Sequence, residues 1–283
     1  MPHLFPQAAI RWYNNFMYLC IDIGGTKTLI ALVDASGQIL HSVKFATIQN
    51  QRQFYENLRQ QIRVNFCISS IKSCAVAMPG IVKRNVAVWL GNLDWHDFDI
   101  AKQLKEDFGL TVYVENDANL AALAEAHHCK GRSLYFTFST GIGGGVVEDG
   151  QLAKRYSDFE PGHVLYTYEG VEKEWEDFAA ASAINAKFGK MVDEITDPED
   201  WLDITHRMLL GIVPMTTSIK PDRIIFGGPL GLALNTYRAS LRKQLNAKLP
   251  AKIKMPRLVV AKYGGFSVIY GCYRYAKLKE SRR

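Results

Sequence analysis

The sequence predicts an α/β protein of two similar lobes with a cleft between them. Three observations carry that prediction. Short apolar strands alternate with segments of helical period in both halves of the 283 residues, the pattern of an α/β architecture. A strand interrupted by glycines, "YLCIDIGGTKTLIALVD" at 18–34, returns in outline as "SLYFTFSTGIGGGVVEDGQL" at 133–152. Each of these glycine turns leads into another strand, so the two halves open alike, a repeat of architecture more than of sequence.

The elements follow in order. Strands are predicted at 17–23, 28–34 and 39–45, with "GGTK" and "DASGQ" (34–38) as the turns between them. Phe54, Leu58, Ile62 and Phe66 recur at helical spacing over 51–66. "SCAVAMPGIV" (73–82) reads as a buried strand running into a Pro-Gly turn, 99–109 as a helix closed by Gly109, and 110–116 as a strand. The alanine-rich 117–128 is helical, with Asn116 or Asp117 as its cap. In the second half come strands at 133–139 and 146–152 around a glycine turn at 140–145, then helices at 172–189 and 199–219. A strand at 223–228, a helix at 232–248, a strand at 257–262 and a helix at 266–280 complete the chain. The implied division is an extension at 1–16, a first lobe at 17–125 and a second at 126–283, with the last helix, 266–280, packing back on the first lobe.

Composition narrows the function. Hydrophobic residues make up 48% and charged residues 22%, as in an ordinary globular protein. The net charge of +6 is scattered apart from the tail "KLKESRR" (277–283), which reads as a solvated helix end and not a nucleic-acid patch. Five cysteines, Cys20, Cys67, Cys74, Cys129 and Cys272, form no C-x-x-C pair, which argues for a reducing compartment. No apolar run reaches the ~18 residues of a membrane span. "MPHLFPQAAIRWYNNF" makes a poor signal peptide. The expectation is a cytoplasmic protein with neither membrane nor nucleic-acid partner.

The glycine turns point to phosphate. "GIGGGV" breaks the G-x-G-x-x-G spacing of a dinucleotide fold, and "DIGGTK" lacks the G-x-x-x-x-G-K-[ST] of a P-loop. Both nevertheless offer several backbone N–H groups with no Cβ in the way, as close approach to phosphate oxygens requires. A bulge in a twisted sheet is the plain alternative for Gly24 and Gly25, and the second glycine turn in the matching place weighs against it. Asp22, just before the first turn, would hold the Mg²⁺ of phosphoryl transfer. "END" (115–117) ends a strand and starts a helix, a place suited to a cleft floor, and Asp117 is the candidate general base.

"DIGGTKTLIALVD", "VENDANLAALAEA", "STGIGGGVVEDGQL" and "EPGH", in that order, resemble the ROK family of sugar kinases and sugar-responsive repressors. The resemblance runs from residue 18 to "GGFSVIYGCYRYA". It implies the actin/hexokinase-like fold, a duplicated ribonuclease H-like architecture with an inter-lobe cleft. It also implies Asp117 as catalytic base, and sugar contacts from Pro79, Gly80, Asn92, Asn116, Asp117, Glu160, His163 and Glu176. Nucleotide contacts are implied for Asp22, Gly24, Gly25, Thr26, Lys27, Thr140, Gly141, Gly143, Gly227 and Gly228, with Mg²⁺ at Asp22 through water. Two features depart from the family. Many relatives follow the histidine with C-x-C-G-x-x-G-C, a zinc site to which that histidine is the fourth ligand. Here no cysteine lies between Cys129 and Cys272, so no zinc is expected, and packing by Tyr166, Tyr168 and Trp175 would replace it. Ser139 stands where relatives usually have glycine.

The expected activity is that of an ATP-dependent, glucokinase-like hexose kinase acting on the 6-hydroxyl of glucose, as a homodimer. N-acetylmannosamine, fructose and mannose stay open as acceptors, and polyphosphate as donor. A DNA-binding repressor of this family would carry a helix-turn-helix domain ahead of the first turn. Here 21 residues precede Asp22. A sugar-binding protein without catalysis is disfavoured by Asp22 and Asp117.

Overall fold

The computed structural model describes residues 16–90, 93–96 and 98–281. Two five-stranded sheets organise them. In the first, β1 (Met17–Ile23), β2 (Lys27–Val33) and β3 (Ile39–Ala46) form an antiparallel meander. Then α1 (Gln51–Asn65) leads to β4 (Ile71–Met78), parallel to β1. A small hairpin of β5 (Ile81–Lys83) and β6 (Val86–Trp89) follows, then α2 (Ile100–Phe108), and β7 (Val112–Asn116), parallel to β4. The order is β3-β2-β1-β4-β7. After α3 (Asp117–Ala126) the second sheet repeats the plan with β8 (Arg132–Phe138), β9 (Ile142–Glu148) and β10 (Gln151–Leu152). A hairpin of β11 (Leu165–Tyr168) and β12 (Val171–Glu174) leads into α4 (Glu176–Ala179), α5 (Ala181–Phe188) and α6 (Pro198–Ile219). Next come β13 (Arg223–Gly227), α7 (Gly228–Leu232), α8 (Leu234–Lys248), β14 (Arg257–Val260) and α9 (Ser267–Glu280). The order β10-β9-β8-β13-β14 matches the first sheet position for position.

Burial explains the unbroken apolar run of β1. Leu19, Ile21 and Ile23 pack with Phe54, Leu58 and Ile62 of α1 on one face. Tyr18 and Cys20 pack with Ile269, Cys272 and Tyr273 of α9 on the other. A strand covered on both faces has no polar side to show. β8 is covered likewise, with Leu134, Phe136 and Phe138 in the largest core and Tyr135 on the opposite face with Ala121 and Ala122 of α3.

α3 therefore lies between the sheets, against α9, and Ala118 to Ala126 are all buried. Its alanines and the glycines facing it permit that approach. A Cβ on Gly145 would lie 2.7 Å from the Ala122 Cβ, and one on Gly271 would lie 2.0 Å from the Leu120 carbonyl oxygen. Two expectations are corrected here. The glycine turn of the second lobe is shorter than 140–145, because β9 begins at Ile142 and pairs Gly143 with Thr137. The segment 172–189 is not one helix, because β12 occupies its start. Glu169 and Gly170 both take positive φ (52° and 78°), the geometry of a two-residue hairpin turn.

Candidate active site

The parallel strands of the first sheet end together. Asp22 pairs with Ala77 and Met78 with Asn116, so Asp22, the Pro79–Gly80 turn and Asp117 emerge from adjacent strand ends. Such ends are where α/β sheets bind ligands. Gly80 has φ +78°, and a Cβ there would meet the Trp89 carbonyl oxygen at 2.2 Å, so the turn requires glycine.

These strand ends open on a cavity of about 500 Å³. Its wall carries Gly24, Gly25, Thr26 and Lys27 from the first turn, and Thr140, Gly141 and Gly143 from the second. Pro79, Gly80, Asp117, Glu160, His163 and Glu176 complete the expected set there. An adjoining cavity of about 410 Å³ shares Gly24 and Asp117, and adds Asp22 and Gly228. Thus the two glycine turns, far apart in the chain, face one space with Asp117 between them. A wider groove of about 840 Å³ runs along α1, lined mostly by polar side chains such as Gln49, Arg52 and Gln103, and holds none of these residues.

Two expected residues stand elsewhere, and a third, Asn92, lies outside the described residues. Gly227 faces neither cavity; a Cβ on it would sit 2.3 Å from the Tyr135 Oη, so its smallness serves packing. Asn116 is 3% exposed and lines neither cavity. Its Oδ1 accepts from the Asn119 amide (2.8 Å), which makes it the cap of α3. Its Nδ2 donates to the Gly80 carbonyl (2.8 Å) and to Glu160 Oε1 (3.0 Å). Asn116 thus orders the site from behind, and leaves Asp117 free of the capping role, its Oδ1 accepting from the Ala118 amide (2.7 Å).

Carboxylates dominate the electrostatics. Burial pushes the Asp117 pKa up to about 6, against the opposing hydrogen bond from the Ala118 amide. Burial, then repulsion from Asp117, raises Asp22 to about 7 despite Lys44. Glu160 rises to about 7 through burial and the Asp117 charge, with His163 opposing. Among the described residues no hydrogen bond reaches the Asp22 carboxylate. A half-buried carboxylate beside a second one, with no donor, is the donor chemistry of a hard divalent cation such as Mg²⁺. A second cluster reads differently. His163, Glu174 and Glu176 offer donor atoms within 4.8 Å of one another. Protein hydrogen bonds already engage them: His163 Nδ1 with Glu174 Oε2 (2.8 Å), and the Ile142 amide with Glu176 Oε2 (3.0 Å).

Some wall residues were missed by the sequence reading. Trp89, Leu90 and Leu93 line the larger cavity; Leu93 lies within the "GNLDW" motif and the other two just ahead of it, and that apolar cluster was their one signal. Gly264, Gly265 and Ser267 line the smaller one, on a turn that buried Glu125 ties down through the Lys262 and Tyr263 amides and the Ser267 hydroxyl. The glycine pair ahead of a helix was the available signal.

Comparison with known proteins places this geometry. The chain is 27% identical to a fructokinase of Zymomonas mobilis subsp. mobilis over 258 residues, 81% of this chain and 84% of that one. A ROK family glucokinase from Streptomyces griseus, solved in complex with glucose and AMPPNP, superposes with a TM-score of 0.76 at 23% identity. That superposition covers 93% of this chain and 99% of the glucokinase. The xylose repressor of Bacillus spizizenii matches at 28% identity over 175 residues, 57% of this chain and 44% of the repressor. The ROK family model matches residues 18–278, and with its two equivalent sheets in the actin/hexokinase-like fold the chain belongs to the ROK family.

Proposed function

We propose that the protein is an ATP-dependent hexose kinase that moves the γ-phosphoryl group to a sugar hydroxyl, with the 6-hydroxyl of glucose as the first acceptor to test. One observation carries the reading: Asp117, a half-buried carboxylate with a pKa of about 6, stands where both glycine turns face a common cavity. In this reading Glu160, His163, Glu176 and the Pro79–Gly80 backbone seat the sugar, Asn92 joins them, and Asn116 holds Gly80 and Glu160 in place. The amides of Gly25, Thr26 and Gly141 receive the phosphates, whereas those of Gly24 and Ser139 donate to the Lys27 and Gly141 carbonyls (3.0 and 2.9 Å) and shape the turns, and Gly228 lies on the base side. Asp22 would hold Mg²⁺, which, when bound, neutralises charge on the phosphate oxygens. Asp117 takes the proton from the attacking hydroxyl as its oxygen bonds to the γ-phosphorus. The bond from that phosphorus to the bridging oxygen breaks, and ADP leaves. No zinc enters this scheme; Trp175, fully buried, and Tyr168, stacked on Phe178 at 4.3 Å, hold the segment instead. We place the protein in the cytoplasm as a homodimer.

The test is an ADP-release assay over glucose, fructose, mannose and N-acetylmannosamine, with ATP and polyphosphate compared as donors. Turnover of at least one hexose is expected. Asp117→Asn should lower kcat by about 10²- to 10⁴-fold and leave sugar affinity by calorimetry nearly unchanged. Sugar binding with no phosphoryl transfer in the parent protein would favour the second reading, a non-catalytic sugar-responsive regulator, which the match to a repressor keeps in view.

A further inference from the structure

His163 lines the larger cavity, and its two ring nitrogens are in unlike surroundings. Nδ1 is 2.8 Å from Glu174 Oε2. Among the described residues Nε2 has no hydrogen-bond partner. The ring is held edge-on to Trp89, with centroids 5.0 Å apart. Glu174 is itself moored: its amide donates to Asp177 Oδ2 (3.1 Å), and the next residue, Trp175, donates its amide to the Val164 carbonyl (3.0 Å). The carboxylate therefore arrives at Nδ1 on the end of a fixed hairpin strand.

An ionised carboxylate is acceptor-only, so the nitrogen it meets must carry the proton. We infer that Glu174 is a positioning residue that keeps the His163 proton on Nδ1 and so presents Nε2 to the sugar as a hydrogen-bond acceptor. This rests on the sugar-kinase reading above. The polarity matters because a histidine that ligates a metal through one nitrogen keeps its proton on the other, and can only donate from it. In its neutral form the ring selects a sugar hydroxyl acting as donor. The charged groups facing His163 are Glu174 of β12, Glu176 of α4 and Glu160 just ahead of it. Burial alone would lower its pKa; the Glu174 hydrogen bond and these three charges outweigh burial and raise it. Protonation thus adds an Nε2–H donor and reverses the polarity of the contact. The side chains of the pair are 30% and 40% exposed, so the pair contributes little to folding stability, and its effect lies in orientation.

The experiment combines kinetics with ¹⁵N spectra of the histidine rings. At pH 8 the wild-type His163 should show a protonated Nδ1 and a bare Nε2, before and after dialysis against EDTA. Glu174→Ala should shift the ring toward the Nε2–H tautomer and raise KM for the hexose about tenfold, with the effect on KM rather than kcat. Glu174→Gln, whose carboxamide oxygen still accepts from Nδ1–H, should restore most of KM while moving the pH dependence of KM to lower pH. In a His163→Ala background, Glu174→Ala should add nothing. An unchanged tautomer and KM in Glu174→Ala, an effect that persists without His163, or an EDTA-sensitive spectrum restored by Zn²⁺ would each overturn the inference. Absence of sugar turnover by the wild type would instead sink the kinase reading, and the spectra would still decide the tautomer.

Discussion

Asp22, Asp117 and Glu160 hold their protons more tightly in the folded protein than in an open chain, with pKa values of about 7, about 6 and about 7. In the unfolded chain such groups ionise near pH 4. The native state therefore binds more protons between about pH 4 and 7, and stability from these groups is full below that window and is lost as pH rises through it. The melting temperature of the ligand-free protein should fall between pH 5 and 8 more steeply than that of Asp22→Asn, and Mg²⁺ with nucleotide should flatten the slope. Equal slopes in calorimetry of the two proteins would show that the carboxylates do not interact as described. Turnover should rise with pH through about 6, as Asp117 becomes a base. At this scale the sequence was legible as to which side chains line the cavity where a motif runs in consecutive letters, as with Asp117, Glu160 and His163, but not for Asn116, which caps α3 behind the cavity. Glu174 was illegible, because its partner lies across a hairpin and nothing in "GVEKEW" marks one of its acids as special.

Among the elements, the glycines divide into two kinds that the sequence cannot tell apart. Gly145 and Gly271 exist so that α3 can approach β9 and α9, whereas a Cβ on Gly25 would meet nothing within 4 Å. Gly271→Ala should cost about 1–3 kcal/mol through overpacking, seen as a lower melting temperature. Gly25→Ala should stay within about 0.5 kcal/mol of the parent while weakening nucleotide binding in a titration. A stable Gly271→Ala would refute the tight crossing, and full nucleotide affinity in Gly25→Ala would refute the role of the first turn. Strands with two covered faces were legible as continuous apolar runs. The start of β9 was not, because "GIGGGV" carries turn residues that here sit in a ladder beside an alanine helix. The β11–β12 hairpin was missed because its turn is Glu-Gly, and the charged "VEKE" that follows suits a helix as well as an exposed strand.

At the scale of the whole molecule, the cavity wall comes from both halves of the chain, so in the kinase reading sugar and nucleotide together should draw the lobes inward. Solution scattering should register a smaller radius of gyration with glucose and a non-hydrolysable ATP analogue. Thermal melts should show stabilisation of about 2.7 kcal/mol when ligand is at a hundred times Kd. An unchanged radius would mean that the cleft is already closed without ligand. The two-lobed plan was legible from the repeated opening of each half. The central place of α3 was not, since its burial on every side follows from the meeting of two sheets and α9.

α9 also sets an order on biosynthesis. Cys20, Ala31 and Ala75 are sealed by Ile269, Cys272 and Tyr273, and Glu280 accepts hydrogen bonds from Tyr18 and Ser73. The strands made first therefore stay bare on one side until residues 267–280 have left the ribosome, on the order of tens of seconds later at about 5–20 residues per second. During that interval the nascent chain presents an unfinished hydrophobic surface, which makes it a natural client for a chaperone that rides on translation.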